Sequence, residues 1–186
     1  METNDENYGD TMIPILATFN VADNNIRSEG GRSLGRMLRT NSSLMDLNLS
    51  LNRLEDEGGK LLIDGLRKNS TLQSLNLASN SLASQSASVL AKVIEETKQS
   101  YSLIKTNENC INSLEEIDLS SNNFSDNDII KLSKAVQTNN KLTSLDLRCQ
   151  TIISEEKRSK PTRGFESAIE SINKTLFKNE KFSAGT

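Results

Sequence analysis

Leucine and its aliphatic relatives recur along this chain in one repeated pattern. An apolar residue is followed by two polar ones, then by an apolar–polar–apolar alternation, and an amide closes the run. Leu44, Leu47, Leu49, Asn52 and Leu54 follow this pattern, and Leu72, Leu75, Leu77, Asn80 and Leu82 repeat it 28 residues later. Leu16, Phe19, Val21, Asn24 and Ile26 stand 28 residues earlier. Leu114, Ile117, Leu119, Asn122 and Phe124 come after a longer gap, and Leu142, Leu145, Leu147, Gln150 and Ile152 after a further 28 residues. The alternation puts two apolar side chains on one face of a short strand and turns the residues between them to the other face. The amide column is predicted to point inward and satisfy backbone groups where the chain leaves the strand, so that stacked copies form a ladder. Gln150 keeps the amide but is one methylene longer, which predicts a looser last turn.

The second half of each repeat has helical spacing. Leu34 and Leu38, Leu62 and Leu66, Leu90 and Ile94, and Leu132 and Val136 are i, i+4 pairs that share a helix face. Ser28, Asp56, Ser84 and Asp126, continued by Ser154, form a column expected to cap these helices at their N-termini. Asn41, Asn69 and Asn139 are expected to end helices in a left-handed conformation. Gly30–Gly31 and Gly58–Gly59, two residues past the cap column, are expected to let repeats approach closely. A strand–helix unit of this size cannot bury its own apolar face, so the units must stack. The predicted fold is α/β: about five strand–helix repeats in a right-handed solenoid, with a parallel sheet on the concave side and helices on the convex side. At about 4.8 Å per strand the sheet spans roughly 20 Å, an arc and not a closed ring.

Two breaks interrupt the repeat. Fourteen extra residues lie between about 98 and 113, where Tyr101, Leu103, Ile104 and Ile111 predict a segment that packs down in part, as a longer third helix or as a loop. After Ser154 the chain turns to EEKRSKPTRG, where Pro161 should stop a helix. A terminal helix is then expected from about Phe165 to Lys178, followed by a frayed tail, KNEKFSAGT. The organisation is therefore an acidic leader at 1–13, repeats over 14–152, and a charged loop, terminal helix and tail over 153–186. The strand at Leu16–Val21 presents an open edge. Either the leader folds over it, a partner covers it, or the solenoid continues beyond it.

Composition narrows the function. Apolar residues make up 34% of the chain, aromatics 4%, and Trp is absent, which suits an elongated fold with an aliphatic core. The net charge is −3, and 22 basic residues are scattered among 25 acids without a basic stripe, which argues against a nucleic-acid partner. The start reads neither as a secretory signal nor as a transit peptide, and no apolar run is long enough to span a membrane. Cys110 and Cys149 alone suit a reducing compartment, so the sequons at Asn41, Asn48, Asn69, Asn123 and Asn173 are read as coincidental and a cytoplasmic, cytoskeletal address is expected. The chain has no His, which removes Ser-His-Asp and Cys-His nucleophile systems and His-based zinc sites. No phosphate-binding glycine loop occurs, and Glu55, Asp56 and Glu57 are accounted for by a helix start. No catalytic, cofactor-binding or metal-binding residue is expected, no small-molecule substrate is expected, and the chain is not read as an enzyme. The surface left to carry function is the concave face. Its outward positions include Asp46, Asn48, Gln73, Asn76, Glu116, Asp118, Ser144, Asp146 and Arg148, with Leu51 and Cys149 as small apolar spots. This face is polar, becomes acidic toward the C-terminal repeats, and is the expected site for a protein partner.

The repeat length, the Asn column and the stretch LRKNSTLQSLNLASNSL (Leu66 to Leu82) resemble leucine-rich repeat proteins of the ribonuclease-inhibitor type. Within that class, LNLSLNRLEDEGGKLL (Leu47 to Leu62) and the order LNLASNSL, IDLSSNNF, LDLR are similar to the family of dynein regulatory complex subunit 5, also called t-complex-associated testis-expressed protein 1. That resemblance implies a non-catalytic subunit of the nexin–dynein regulatory complex, with axonemal partners in motile cilia or flagella. The family is longer at its N-terminus, and the 14-residue insert departs from its spacing. Two other readings are a small-GTPase regulator similar to Ran GTPase-activating protein, whose acidic tail this chain lacks, and a cytosolic repeat adaptor such as an actin-end capper.

Overall fold

A computed structural model describes residues 16–99, 113–150 and 164–183. Strands and helices alternate throughout: β1 (Thr18–Asn20), α1 (Ser28–Leu38), β2 (Asp46–Asn48), α2 (Glu55–Gly65), β3 (Ser74–Asn76), α3 (Ser84–Gln99), β4 (Glu116–Asp118), α4 (Asp126–Val136), β5 (Ser144–Asp146) and α5 (Phe165–Ser183). The five strands form one parallel sheet in chain order. Phe19, Leu47, Leu75, Ile117 and Leu145 are in register across it, as the alternation requires. The insert leaves this register intact. Its first residues continue α3 to Gln99, which makes that helix 16 residues long against 11 for α1, α2 and α4; residues 100–112 lie outside the described part. So does the charged loop at 151–163.

The apolar columns are the core. Leu44, Leu47, Leu49, Leu54 and their counterparts in the next two repeats are buried, and Leu62, Leu66, Leu90, Ile94, Leu132 and Val136 close over them from the helices. The amide column forms the predicted ladder. Asn52 accepts the N–H groups of Asn24 (3.1 Å) and Ile26 (2.8 Å) and donates to the carbonyls of Val21, Leu49 and Ser50. Asn122 repeats this with Asn80 N (3.1 Å), Leu82 N (2.9 Å) and the carbonyls of Leu77, Leu119 and Ser120. Gln150 accepts from Phe124 N and reaches the carbonyls of Leu119, Leu147 and Arg148, so the longer side chain still closes the last turn.

The helix-end asparagines do something other than predicted. Asn69 is extended (φ −104°, ψ 128°), not left-handed. Its side chain accepts from Thr71 N and Leu72 N and donates to the carbonyls of Leu38 (2.8 Å) and Asn41 (3.0 Å) in the previous repeat. Asn139 does the same with Lys141 N, Leu142 N and the Ile94 carbonyl. These residues form a second ladder, at the helix exits, that ties neighbouring repeats together. Asn179 extends it from α5, donating to the carbonyls of Asn139 and Leu142. This is one reason α5 continues to Ser183 and does not fray after Lys178. Lys181 Nζ over the Phe177 ring, 4.6 Å from its centroid, braces the same turn.

The cap column is also corrected. Arg27, not Ser28, holds the N-cap position of α1 and makes no side-chain cap, and Leu54, not Asp56, precedes α2. In α4 the cap is Ser125, in a reciprocal capping box with Asp128, and not Asp126. Asp56 instead caps the next repeat's helix. Its carboxylate accepts the N–H groups of Ala83 (3.0 Å), Gln85 (3.0 Å) and Ser86 (2.8 Å) at the start of α3. Ser84, the column's next member, donates its hydroxyl to Asp128 of α4 (2.7 Å). The column thus acts between repeats. Partial burial pushes the Asp56 carboxyl up, but its hydrogen bonds from Ser86, Gln85 and Ala83 outweigh this and hold it below the ordinary carboxylate value. A carboxyl depressed in the folded state contributes stability above its unfolded value and loses it as pH falls through the folded one. Asp56→Asn is therefore expected to cost about 1 kcal/mol at pH 7, with the difference from the parent chain shrinking below about pH 4, as read by urea melts across pH.

Candidate functional site: the concave sheet face

Two outward rows flank the buried row of the sheet. One comprises Thr18, Asp46, Ser74, Glu116 and Ser144; the other comprises Asn20, Asn48, Asn76, Asp118 and Asp146. The structure therefore gathers seven of the eight sequence-predicted partner residues on or beside these rows. Asp46 and Glu116 lie in the first row and Asn48, Asn76, Asp118 and Asp146 in the second. Arg148, two residues past β5, is fully exposed and folds back on Asp146, with Nε 3.0 and 2.9 Å from its two carboxylate oxygens. Gln73 does not join them. It precedes β3, in the column of Met45, Glu115 and Thr143, and its backbone carbonyl takes the N–H groups of Glu115 and Glu116. The in-register position on β3 belongs to Ser74.

The second row has a structural duty that its polarity alone does not reveal. Each of its five side chains accepts the N–H two residues ahead: Asn20 from Ala22, Asn48 from Ser50, Asn76 from Ala78, Asp118 from Ser120 and Asp146 from Arg148, all at 2.9–3.0 Å. These are Asx turns that steer the chain off each strand. The signal was present in the sequence as an unbroken Asn/Asp column. The next turn position explains Leu51 and Cys149. With Asp23, Ser79 and Ser121 they adopt left-handed backbone, φ 55–57°, and so stand in the turns past the strands and not on the sheet face. Cys149 is a free, exposed thiol.

Charge is uneven along the rows. The acids collect on β4 and β5, where Glu116, Asp118 and Asp146, with Ser74, Asn76 and Ser144, line a groove of about 240 Å³. Asp118 and Asp146 are direct register partners, and like charges so placed repel. Arg148 relieves this in part: its hydrogen bond, more than the opposing partial desolvation, holds the Asp146 carboxyl below the ordinary carboxylate value. Among the described residues Glu115, Glu116 and Asp118 make no ion pair. Glu115, exposed at the entrance to β4, belongs to this acidic set although sequence reasoning passed over it. Among the described residues no group of acids and cysteines is arranged to hold a metal ion, and no helix is long and apolar enough to cross a membrane.

The stacked strand–helix units, their two Asn ladders and the parallel concave sheet define a leucine-rich repeat protein. A model of the leucine-rich repeat matches residues 16–35, 40–62, 68–91 and 110–133, and the chain belongs to this class. No curated protein matches it. Among solved structures it is similar to leiomodin-1 actin-binding site 2, with 17% identity, a TM-score of 0.64, and coverage of 90% of this chain and 84% of that one. It also matches the tropomodulin C-terminal domain of Caenorhabditis elegans at 12% identity and a TM-score of 0.46, covering 84% of this chain and 95% of that one, a likeness too distant to carry an argument. These similarities bear on the fold. They do not extend to the ribonuclease-inhibitor type or to dynein regulatory complex subunit 5.

Proposed function

We propose that the chain is a non-catalytic scaffold that binds another protein through the acidic half of its concave face. The observation that carries this reading is the set of carboxylates without ion pairs, Glu115, Glu116 and Asp118, beside the Asp146–Arg148 pair on neighbouring strands. Repulsion within such a set is offset when a partner brings basic groups to it, and charge complementarity of this kind favours encounter and register. The test is a paired substitution, Glu116→Lys with Asp118→Asn. Asn48 and Asn76 make the same turn at the position of Asp118, so the fold should be kept while the charge is reversed. Partners cross-linked to the parent chain in cell extract are expected to weaken about tenfold or more, with the melting temperature nearly unchanged. Undiminished capture would reject the concave face as the binding site.

For the partner, the family resemblance of LNLSLNRLEDEGGKLL supports a subunit of the nexin–dynein regulatory complex in a ciliary or flagellar axoneme. This reading predicts co-sedimentation with salt-extracted axonemes, and recovery only in the detergent-soluble fraction would count against it. The likeness to the actin-binding site of leiomodin-1 favours the second reading, an actin-binding cytoskeletal adaptor. Here the chain should slow filament growth at the pointed end. A small-GTPase regulator, the remaining reading, would have to accelerate GTP hydrolysis.

A further inference from the structure

The first repeat is unfinished on the side away from β2. Phe19, Val21, Ile26, Leu34 and Met37 are only partly buried, whereas their counterparts Leu47, Leu49, Leu54 and Leu62 are 0–2% exposed, and Leu16 is 58% exposed. Both Asn ladders stop short here. Among the described residues the Asn24 side-chain carbonyl takes no N–H, and its amide reaches only the local Ala22 carbonyl. The Asn41 amide reaches only Ser43 Oγ, at 3.5 Å, where Asn69 reaches two carbonyls of the repeat before it. The Ala17 carbonyl and the Val21 N–H bond to β2, so the backbone groups of Thr18 and Asn20 between them turn to the open edge. Gly31 and Gly35 of α1 face α2. At 3.6 residues per turn, Gly30, Ser33 and Met37 then look the other way, toward the same open end. A strand edge, two amides and an apolar helix face together have the composition of a docking surface.

We propose that this surface is the seat of the chain's own leader, Met1 to Ile15. The leader enters the edge directly at Leu16, so its effective local concentration is high. Its Met12 and Ile13 supply apolar side chains for the half-covered column around Phe19 and Met37. Glu2, Asp5, Glu6 and Asp10 give it a charge opposite to that of Arg27 and Arg36, which have no acid partner among the described residues. The leader's backbone supplies donors and acceptors for the strand edge and for the Asn24 and Asn41 amides.

Amide hydrogen exchange on the full chain tests this, together with the variant Met12→Asp/Ile13→Asp. The Thr18 and Asn20 amides are expected to be protected in the parent chain and to exchange about tenfold faster or more in the variant, independently of protein concentration. Free exchange at Thr18 and Asn20 in the parent chain overturns the proposal, as does protection that survives in the variant. Protection that rises with protein concentration also overturns it, since a second copy would then be the cover. If the variant fails to fold, a nitroxide at Thr11→Cys in a Cys110→Ser/Cys149→Ser background gives an independent reading. It should broaden the Met37 methyl and Asn24 amide signals within one molecule, and unbroadened signals reject the leader as the occupant.

Discussion

Gly35→Ala is expected to destabilise the chain by about 3 kcal/mol, although Ala in place of Gly inside a helix ordinarily stabilises by roughly 1 kcal/mol. The reversal of sign comes from the α1–α2 contact. A Cβ on Gly35 would overlap the Leu61 carbonyl oxygen, and one on Gly65 would overlap the carbonyl of Gly35 itself. One turn earlier, a Cβ on Gly31 would stand 2.7 Å from the Gly58 oxygen, and one on Gly58 would stand 2.6 Å from Ser28 Cα. All of these neighbours are backbone or tied directly to it, so no side chain can swing aside. The helices would have to separate, and the Arg39–Asp64–Arg67–Glu96 ion-pair chain that crosses them would be disturbed too. Chemical denaturation of Gly35→Ala and Gly65→Ala measures the effect; a gain in stability would show that the helices are not held in this contact.

Asn122→Ala is expected to cost about 4 kcal/mol, because it strands several buried backbone groups at once and each is expensive to leave unpaired. Asn122 is fully buried and accepts or donates five hydrogen bonds that link β3 and β4 and the turns after them. The same substitution should give a gradient along the ladder. Asn80→Ala should approach Asn122→Ala. Gln150→Ala, half-buried at the last turn, should cost about 2 kcal/mol, and Asn24→Ala, exposed with a single local bond, less than about 0.5 kcal/mol. Equal losses at all four positions would mean that the ladder does not couple neighbouring repeats.

The inward ladder was legible because its requirement is local and repeats. A polar residue in the same place among leucines, copy after copy, has to be satisfied, and the turn off the strand is where the unpaired backbone lies. The terminal helix was legible at its start, Phe165, because Pro161 forbids an earlier one. Its end was not, since Asn179 keeps the last turns folded by bonding to carbonyls nearly forty residues away. Asp56 was misassigned for a similar reason. A small acid at a helix start reads as that helix's own cap, and only the stacking of repeats places the next helix's N–H groups against it. At the concave face the alternation identified Asp46, Asn48, Asn76, Glu116, Asp118 and Asp146. It misplaced Gln73 because the strands are only three residues long and their period does not extend one position further back.

By itself, then, the sequence determined the repeat, the apolar columns, the parallel stacking of strands and the absence of His-dependent chemistry. Each of these follows from periodicity or composition, which every residue carries with it. The tertiary structure alone decided which repeat a polar side chain serves. Asp56 and Asn69 reach across to neighbours, Gly35 and Gly65 meet backbone to backbone, and Asp118 stands beside Asp146. These relations join residues about 25 to 45 positions apart, and they exist only once stacking has set adjacent strands about 4.8 Å from one another.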